Sequence, residues 1–150
     1  MRSKANRILV PVDGKAASEQ AFHWSCQMAR NTKSELHAIY VYEVPLELPL
    51  TSEMFSHEHY GEDILARIEA IGEEAKCKIH ASTVYARRAG PAVVLESEER
   101  HMNLVVVGIP SKYPENQAKL GSTPMYILKN APCQVILSRQ QMPVSALARN

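Results

Sequence analysis

Little in this chain points toward a membrane, a disulfide framework or a charged partner. Its 150 residues contain no apolar run near the roughly 20 needed to span a bilayer. Cys26, Cys77 and Cys133 are odd in number and far apart, with no CxxC pair of redox or metal type. Such usage fits a reduced, cytoplasmic protein with small buried thiols. Lys and Arg number 17 against 16 Asp and Glu, a net charge of +1. No basic stripe stands out, so the electrostatic footprint of a nucleic-acid binder is missing, as is the basic balance suited to an anionic membrane surface. The segment Met1 to Asn6 carries charge, but strand-like residues and Asp13 follow it instead of a signal-peptide core. Four catalytic or phosphate motifs are absent: G-x-S-x-G, HExxH, GxxxxGK[ST] and GxGxxG. Without them no catalytic residue and no metal site is assigned. Internal repeats and low-complexity tracts are absent too.

What is present is alternation. Five short apolar runs are expected as strands: Ile8–Val12, Leu36–Tyr42, Ile79–Val84, Leu104–Val107 and Gln134–Leu137. The first, second and fourth are nearly continuous, as in strands covered on both faces. The third alternates, with Ile79, Ala81 and Thr83 set against His80, Ser82 and Val84, which suits an outer strand. Helical spacing fills the gaps. Ala17, Ala21, Trp24, Met28 and Ala29 make one stripe, with Trp24 read as a core or interface residue. Ile64, Leu65, Ile68, Ile71 and Ala75 make a second, with Glu62 and Asp63 early and Lys76 and Lys78 late, as the helix dipole favours. A third helix opens at Gly90-Pro91 and runs to Arg100-His101. A fourth opens at Ser122-Thr123-Pro124, read as a cap followed by a proline at the first helical position, and stops at Pro132. Strict β-α alternation predicts one α/β domain over 1–150, its core about 7–139, with a parallel sheet and helices on both faces. Pro11 is tolerable only near its strand's end. Residues 44–59 form a long connection with two prolines, and the tail 139–150 is expected to fray or dock on a partner.

Two strand ends carry the functional signal. Val105-Val106-Val107-Gly108-Ile109-Pro110-Ser111 leads through a polar loop to Leu120-Gly121-Ser122-Thr123-Pro124, a turn that opens a helix. A helix N-terminus offers unpaired N–H groups and partial positive charge, a seat for phosphate. Ile8-Leu9-Val10-Pro11-Val12-Asp13-Gly14 has similar grammar and ends in a carboxylate. Together they suggest a nucleotide cleft at the carboxyl ends of parallel strands.

From Arg7 to Arg139 the chain resembles the universal stress protein family. The resemblance rests on the Ile8–Gly14 opening, the Glu35–Val41 strand, Leu104–Gly108, the Gly121-Ser122 turn and Leu128–Leu137. It implies an open five-stranded parallel sheet of order 3-2-1-4-5, of the adenine-nucleotide alpha-hydrolase-like type. It also implies a homodimer formed through the last strand, 133–138, and membership of either an ATP-binding or a non-binding class. The family's phosphate motif is Gly, two residues, Gly, nine residues, Gly-Ser/Thr. Here it reads Gly108, Ile109-Pro110, Ser111, nine residues, Gly121-Ser122, so a serine replaces the middle glycine. Glycine there lets backbone approach a phosphate, or takes positive φ, at little cost. Serine donates from its N–H and hydroxyl if its backbone angles are ordinary, and Pro110 removes one N–H from the loop. By position, the resemblance sets Pro11 and Val12 against the base and Asp13 on the ribose or adenine side. It gives Val41 main-chain bonds to adenine, puts Gly108 under the ribose, and puts Ser111, Gly121, Ser122 and Thr123 on the phosphates. The implied ligand is ATP with Mg²⁺, or another adenine nucleotide, with slow ATP hydrolysis at most.

The same residues have plainer readings. Asp13 is a ligand group or the cap of the first helix, and Ser122 and Thr123 read alone are caps. Arg87-Arg88 attract a polyphosphate or form a solvated pair; Lys112 lies near enough in sequence to reach a phosphate. His57-x-His59 beside Glu58 is weak as a metal motif. Tyr40 and Tyr42 share one strand face as packing residues. Two functions from different classes follow: an adenine-nucleotide-binding regulatory protein of stress responses, or a nucleotide-free dimeric module serving a partner such as a transporter or sensor.

Overall fold

The computed structural model describes residues 6–50, 58–111 and 120–142. The elements run β1 (Arg7–Pro11), α1 (Ala16–Thr32), β2 (Glu35–Glu43), α2 (Glu58–Glu74), β3 (Ile79–Ala86), α3 (Ala89–Glu99), β4 (Leu104–Ile109), α4 (Ser122–Asn130) and β5 (Gln134–Arg139). All five strands are parallel, in the order β3-β2-β1-β4-β5. Pro11 is the last residue of its strand, where a missing N–H costs the ladder least. The connection after β2 is shorter than expected, because α2 begins at Glu58. Residues 51–57, with His57, lie outside the described residues, as do Lys112 and the tail from 143.

Strand alternation splits the core into two layers. Ile8, Val10, Leu36, Ala38, Leu104 and Val106 face α1 and α2, meeting Phe22, Cys26, Ile64 and Ile68. Leu9, Ile39, Val105 and Val107 face the other way, onto Val93 of α3 and Ile127 of α4. Each fully buried large side chain contributes about 1.5–3 kcal/mol, so both layers matter to stability. Among the described residues, no helix is long and apolar enough to cross a membrane.

The α1 stripe follows the expected one at Ala17, Ala21 and Ala29, with Met28 packed beside them, and departs from it at Trp24. Trp24 is 43% exposed, while Phe22 is fully buried. The buried face holds Ala17, Ser18, Ala21, Ser25 and Ala29, so small residues bring α1 close to the sheet. Buried Ser25 satisfies its hydroxyl by donating to the Ala21 carbonyl at 2.7 Å. Two prolines also shift. Pro91 and Pro124 occupy the third helical position, since α3 starts at Ala89 and α4 at Ser122. An N–H there has no intrahelical acceptor, so proline loses no bond at that position either.

Candidate functional site

At the carboxyl end of the sheet lies a cavity of about 620 Å³, lined by the ends of β1, β2 and β4 and by the starts of α1, α3 and α4. This is the switch point of the topology. From β1, one crossover pair (α1, α2) covers one face and the other pair (α3, α4) covers the opposite face, so the strand ends diverge and leave a crevice. Among the sequence-predicted residues, Pro11, Val12, Asp13, Val41, Gly108, Gly121, Ser122 and Thr123 all line it. Ser111 does not. It follows the exposed Pro110 at the end of β4, and the loop it opens (112–119) lies outside the described residues. Sequence reading missed Lys15, Glu43 and Gln140, which also line the cavity. No motif marks them; only the register of the strand ends brings them in.

Asp13 organises the first turn of the crevice. Its Oδ1 accepts from the Lys15 N–H at 2.9 Å and from Ser18 Oγ at 2.9 Å, while Ser18 Oγ accepts from the Asp13 N–H at 3.2 Å. Asp13 is therefore not the N-cap residue, which is Lys15, although its carboxylate closes the turn before the helix. Gly14 makes that turn with φ +84°, a conformation other residues rarely adopt. Asp13 itself remains exposed toward the cavity.

Across the crevice, the N-cap of α4 is Gly121, not Ser122 or Thr123, and no side chain caps the helix. Ser122 and Thr123 are the first two helical residues, so their N–H groups have no intrahelical acceptor. The starts of α1 and α3 likewise lack a side-chain cap bond. Three positive helix ends thus converge on one cavity. Arg88 joins Ser122 and Thr123 in a small adjoining pocket. Arg87, exposed as a surface arginine, donates from Nη1 to the carbonyls of Pro45 and Leu48, both at 2.6 Å, and so straps down the connection after β2.

One wall of the cavity is apolar, with Pro11, Val12, Ile39 and Val107. The last main-chain bond from this side to β2 runs from the Val12 N–H to the Ile39 carbonyl, at 2.9 Å. Alternation along β2 puts the N–H and C=O of Val41 on that same edge, one step past the end of β1. Gly108 has a structural task. A Cβ there would lie 2.3 Å from the Ala17 carbonyl oxygen, so its glycine is what lets α1 seat on β4. Gly121 has no such constraint: a Cβ would meet only Pro124 Cδ, at 3.6 Å.

An open parallel α/β sheet with a ligand-sized crevice at its switch point defines a broad class of small-molecule-binding folds. Within that class the chain is placed by its sequence: residues 4–139 match the universal stress protein family, and the protein belongs to that family. It is 29% identical over 142 residues to a universal stress protein of Methanocaldococcus jannaschii, covering 89% of this chain and 82% of the relative. Among solved structures it resembles a universal stress protein in complex with cAMP, with a TM-score of 0.74 and 18% identity over 93% of this chain and 100% of that one. A universal stress protein family member from Arabidopsis thaliana with AMP bound gives a TM-score of 0.70 and 17% identity, over 91% and 92% of the two chains.

Proposed function

We propose that this protein binds an adenine nucleotide, ATP in the first instance, in the crevice at the carboxyl ends of β1, β2 and β4. The observation that carries this reading is one cavity that joins an apolar slot, the β1-facing main-chain groups of Val41 beyond the last β1–β2 pair and the uncapped N-terminus of α4. Adenine suits the slot, since it is flat and apolar on its faces and hydrogen-bonds at its edge. Pro11 and Val12 flank it, and Val41 supplies an N–H and a C=O. The ribose lies between Asp13 and Gly108. Phosphates lie on the N–H groups of Ser122 and Thr123, with Gly121 giving room and Lys15 and Arg88 supplying charge. Ser111, off the cavity wall, drops out of this assignment. Mg²⁺ accompanies a triphosphate and is held mainly by the phosphates themselves, with the Asp13 carboxylate the nearest fit among the lining groups. The complexes with cAMP and AMP formed by relatives of this fold support the reading.

A regulatory role in a cytoplasmic stress response, and a homodimer through β5, belong to the same proposal. β5 is an edge strand, with Val135, Ile136 and Leu137 half-buried and its outer side unpaired by any described strand, an arrangement that favours pairing with a second copy. Mass spectrometry of small molecules released from protein purified without added nucleotide tests the ligand directly. An adenine nucleotide near one equivalent is expected. Empty protein that also ignores millimolar ATP favours the nucleotide-free interaction module instead.

A further inference from the structure

At the opposite rim of the sheet, away from the crevice, three side chains converge without any sequence motif. We propose that Glu35, His37 and His80 form a binding site for a divalent transition metal such as Zn²⁺. This inference is independent of the nucleotide reading.

The site is built by strand register. Glu35 and His37 are two residues apart on β2 and so share one face. His80 of β3 is the direct register partner of His37. Their rings stack, with centroids 4.7 Å apart and an interplanar angle of 24°. Both Nε2 atoms lie 3.8 Å from the same carboxylate oxygen, Glu35 Oε1. One donor atom from each residue falls within 4.8 Å of the other two. A separation of 3.8 Å is too long for a hydrogen bond. It is close to the roughly 3.3–3.4 Å between ligand atoms around a tetrahedral ion with bonds of about 2.0–2.1 Å. Side-chain rotation that closes the triad from within 4.8 Å to that spacing completes three ligands and leaves a fourth position open.

A second observation points to a ligand. Both ring nitrogens of His37 are buried and have no hydrogen-bond partner among the described residues. Buried polar atoms are rarely left so, and each calls for an account. Arg7 prepares the carboxylate: its Nε donates to Glu35 Oε2 at 3.1 Å, which leaves Oε1 toward the imidazoles. Its Nη1 is anchored on the Arg100 carbonyl at 2.9 Å. Such outer contacts fix the orientation of ligands. The imidazole–carboxylate set suits Zn²⁺, Co²⁺, Ni²⁺ or Cu²⁺ over Mg²⁺ or Ca²⁺. The Arg7 charge offsets that of Glu35, so binding is moderate.

The test uses the full chain, free of nucleotide, titrated with Co²⁺ alone and then with Zn²⁺ alone. One equivalent of Co²⁺ is expected to develop a visible d–d band that Zn²⁺ abolishes, and Zn²⁺ is expected to raise the Tm. His80→Ala, at an exposed edge-strand position, and Glu35→Gln each weaken binding at least tenfold. The exposed His23→Ala retains it, and so does the double variant His57→Ala/His59→Ala. Absence of both band and Tm shift at a hundredfold excess of metal overturns the proposal. So does a band that survives His80→Ala and disappears with His57 and His59. Should His37→Ala fail to fold, the His80 and Glu35 variants decide the matter.

Discussion

Gly108 and Gly121 bracket the crevice and are glycines for different reasons. Gly108 lies against the Ala17 carbonyl, where a methyl group would approach to 2.3 Å. Gly108→Ala should therefore destabilise the fold by about 1–3 kcal/mol, the cost of forcing atoms into a packed interior, as read by urea denaturation. Gly121 has open space beside it, so Gly121→Ser should change stability by no more than about 0.5 kcal/mol. Glycine spacing marked both positions in the sequence, but it does not tell a packing glycine from one that keeps a cavity clear. Asp13 has a structural task and a proposed ligand task, which substitution can separate. Asp13→Ala removes the acceptor for the Lys15 N–H and Ser18 Oγ and should cost about 1 kcal/mol. Asp13→Asn keeps an acceptor oxygen and most of that stability, so any loss of nucleotide affinity in this variant reports the ligand role alone.

Among elements, α1 shows where helix-face reading goes astray, at Trp24. A stripe through Trp24 looked apolar, but the helix buries the face of Phe22, with Ser18 and Ser25 included. Close approach to β4 needs small side chains, and serine is small even though hydropathy counts it as polar. Phe22→Ala should cost about 3–5 kcal/mol. Trp24→Ala, at a half-exposed site, should cost under about 1 kcal/mol; chemical denaturation of both variants distinguishes the two stripes. Cys26, fully buried beside Cys77 between α1 and the start of β3, has its thiol pushed up to about 12 by burial first and by Cys77 second. A group whose folded pKa is raised stabilises the fold fully below its unfolded pKa. That stability is lost as pH rises from about 9 toward 12. Stability should therefore fall along this alkaline limb, less steeply in Cys26→Ala, and Cys26 should resist thiol reagents until the protein unfolds. The strand sequence was more legible than the helix faces. Continuous apolar runs marked the covered strands, and the alternating β3 took the edge. The Arg87 strap was illegible, because its acceptors are backbone carbonyls that carry no side-chain signature.

For the whole molecule, parallel order turns local signals into two rims. The carboxyl rim gathers residues from positions 11 to 140 into one crevice. It was visible beforehand because turn glycines and helix starts are written in the sequence. The other rim gathers Glu35, His37 and His80 through β2–β3 register, which no spacing rule conveys. The proposed dimer through β5 belongs at this scale as well. Light scattering at tens of micromolar should give the mass of two chains, and the mass of one chain would contradict it. The central claim concerns that crevice, and thermal unfolding with and without millimolar ATP or AMP tests it most directly. At a hundredfold excess over Kd, nucleotide should stabilise the native chain by about 2.7 kcal/mol. Gly121→Trp, folded but filling the space beside Ser122, should show no shift. Unchanged melting in the native chain, or an equal shift in both proteins, would contradict binding at this site.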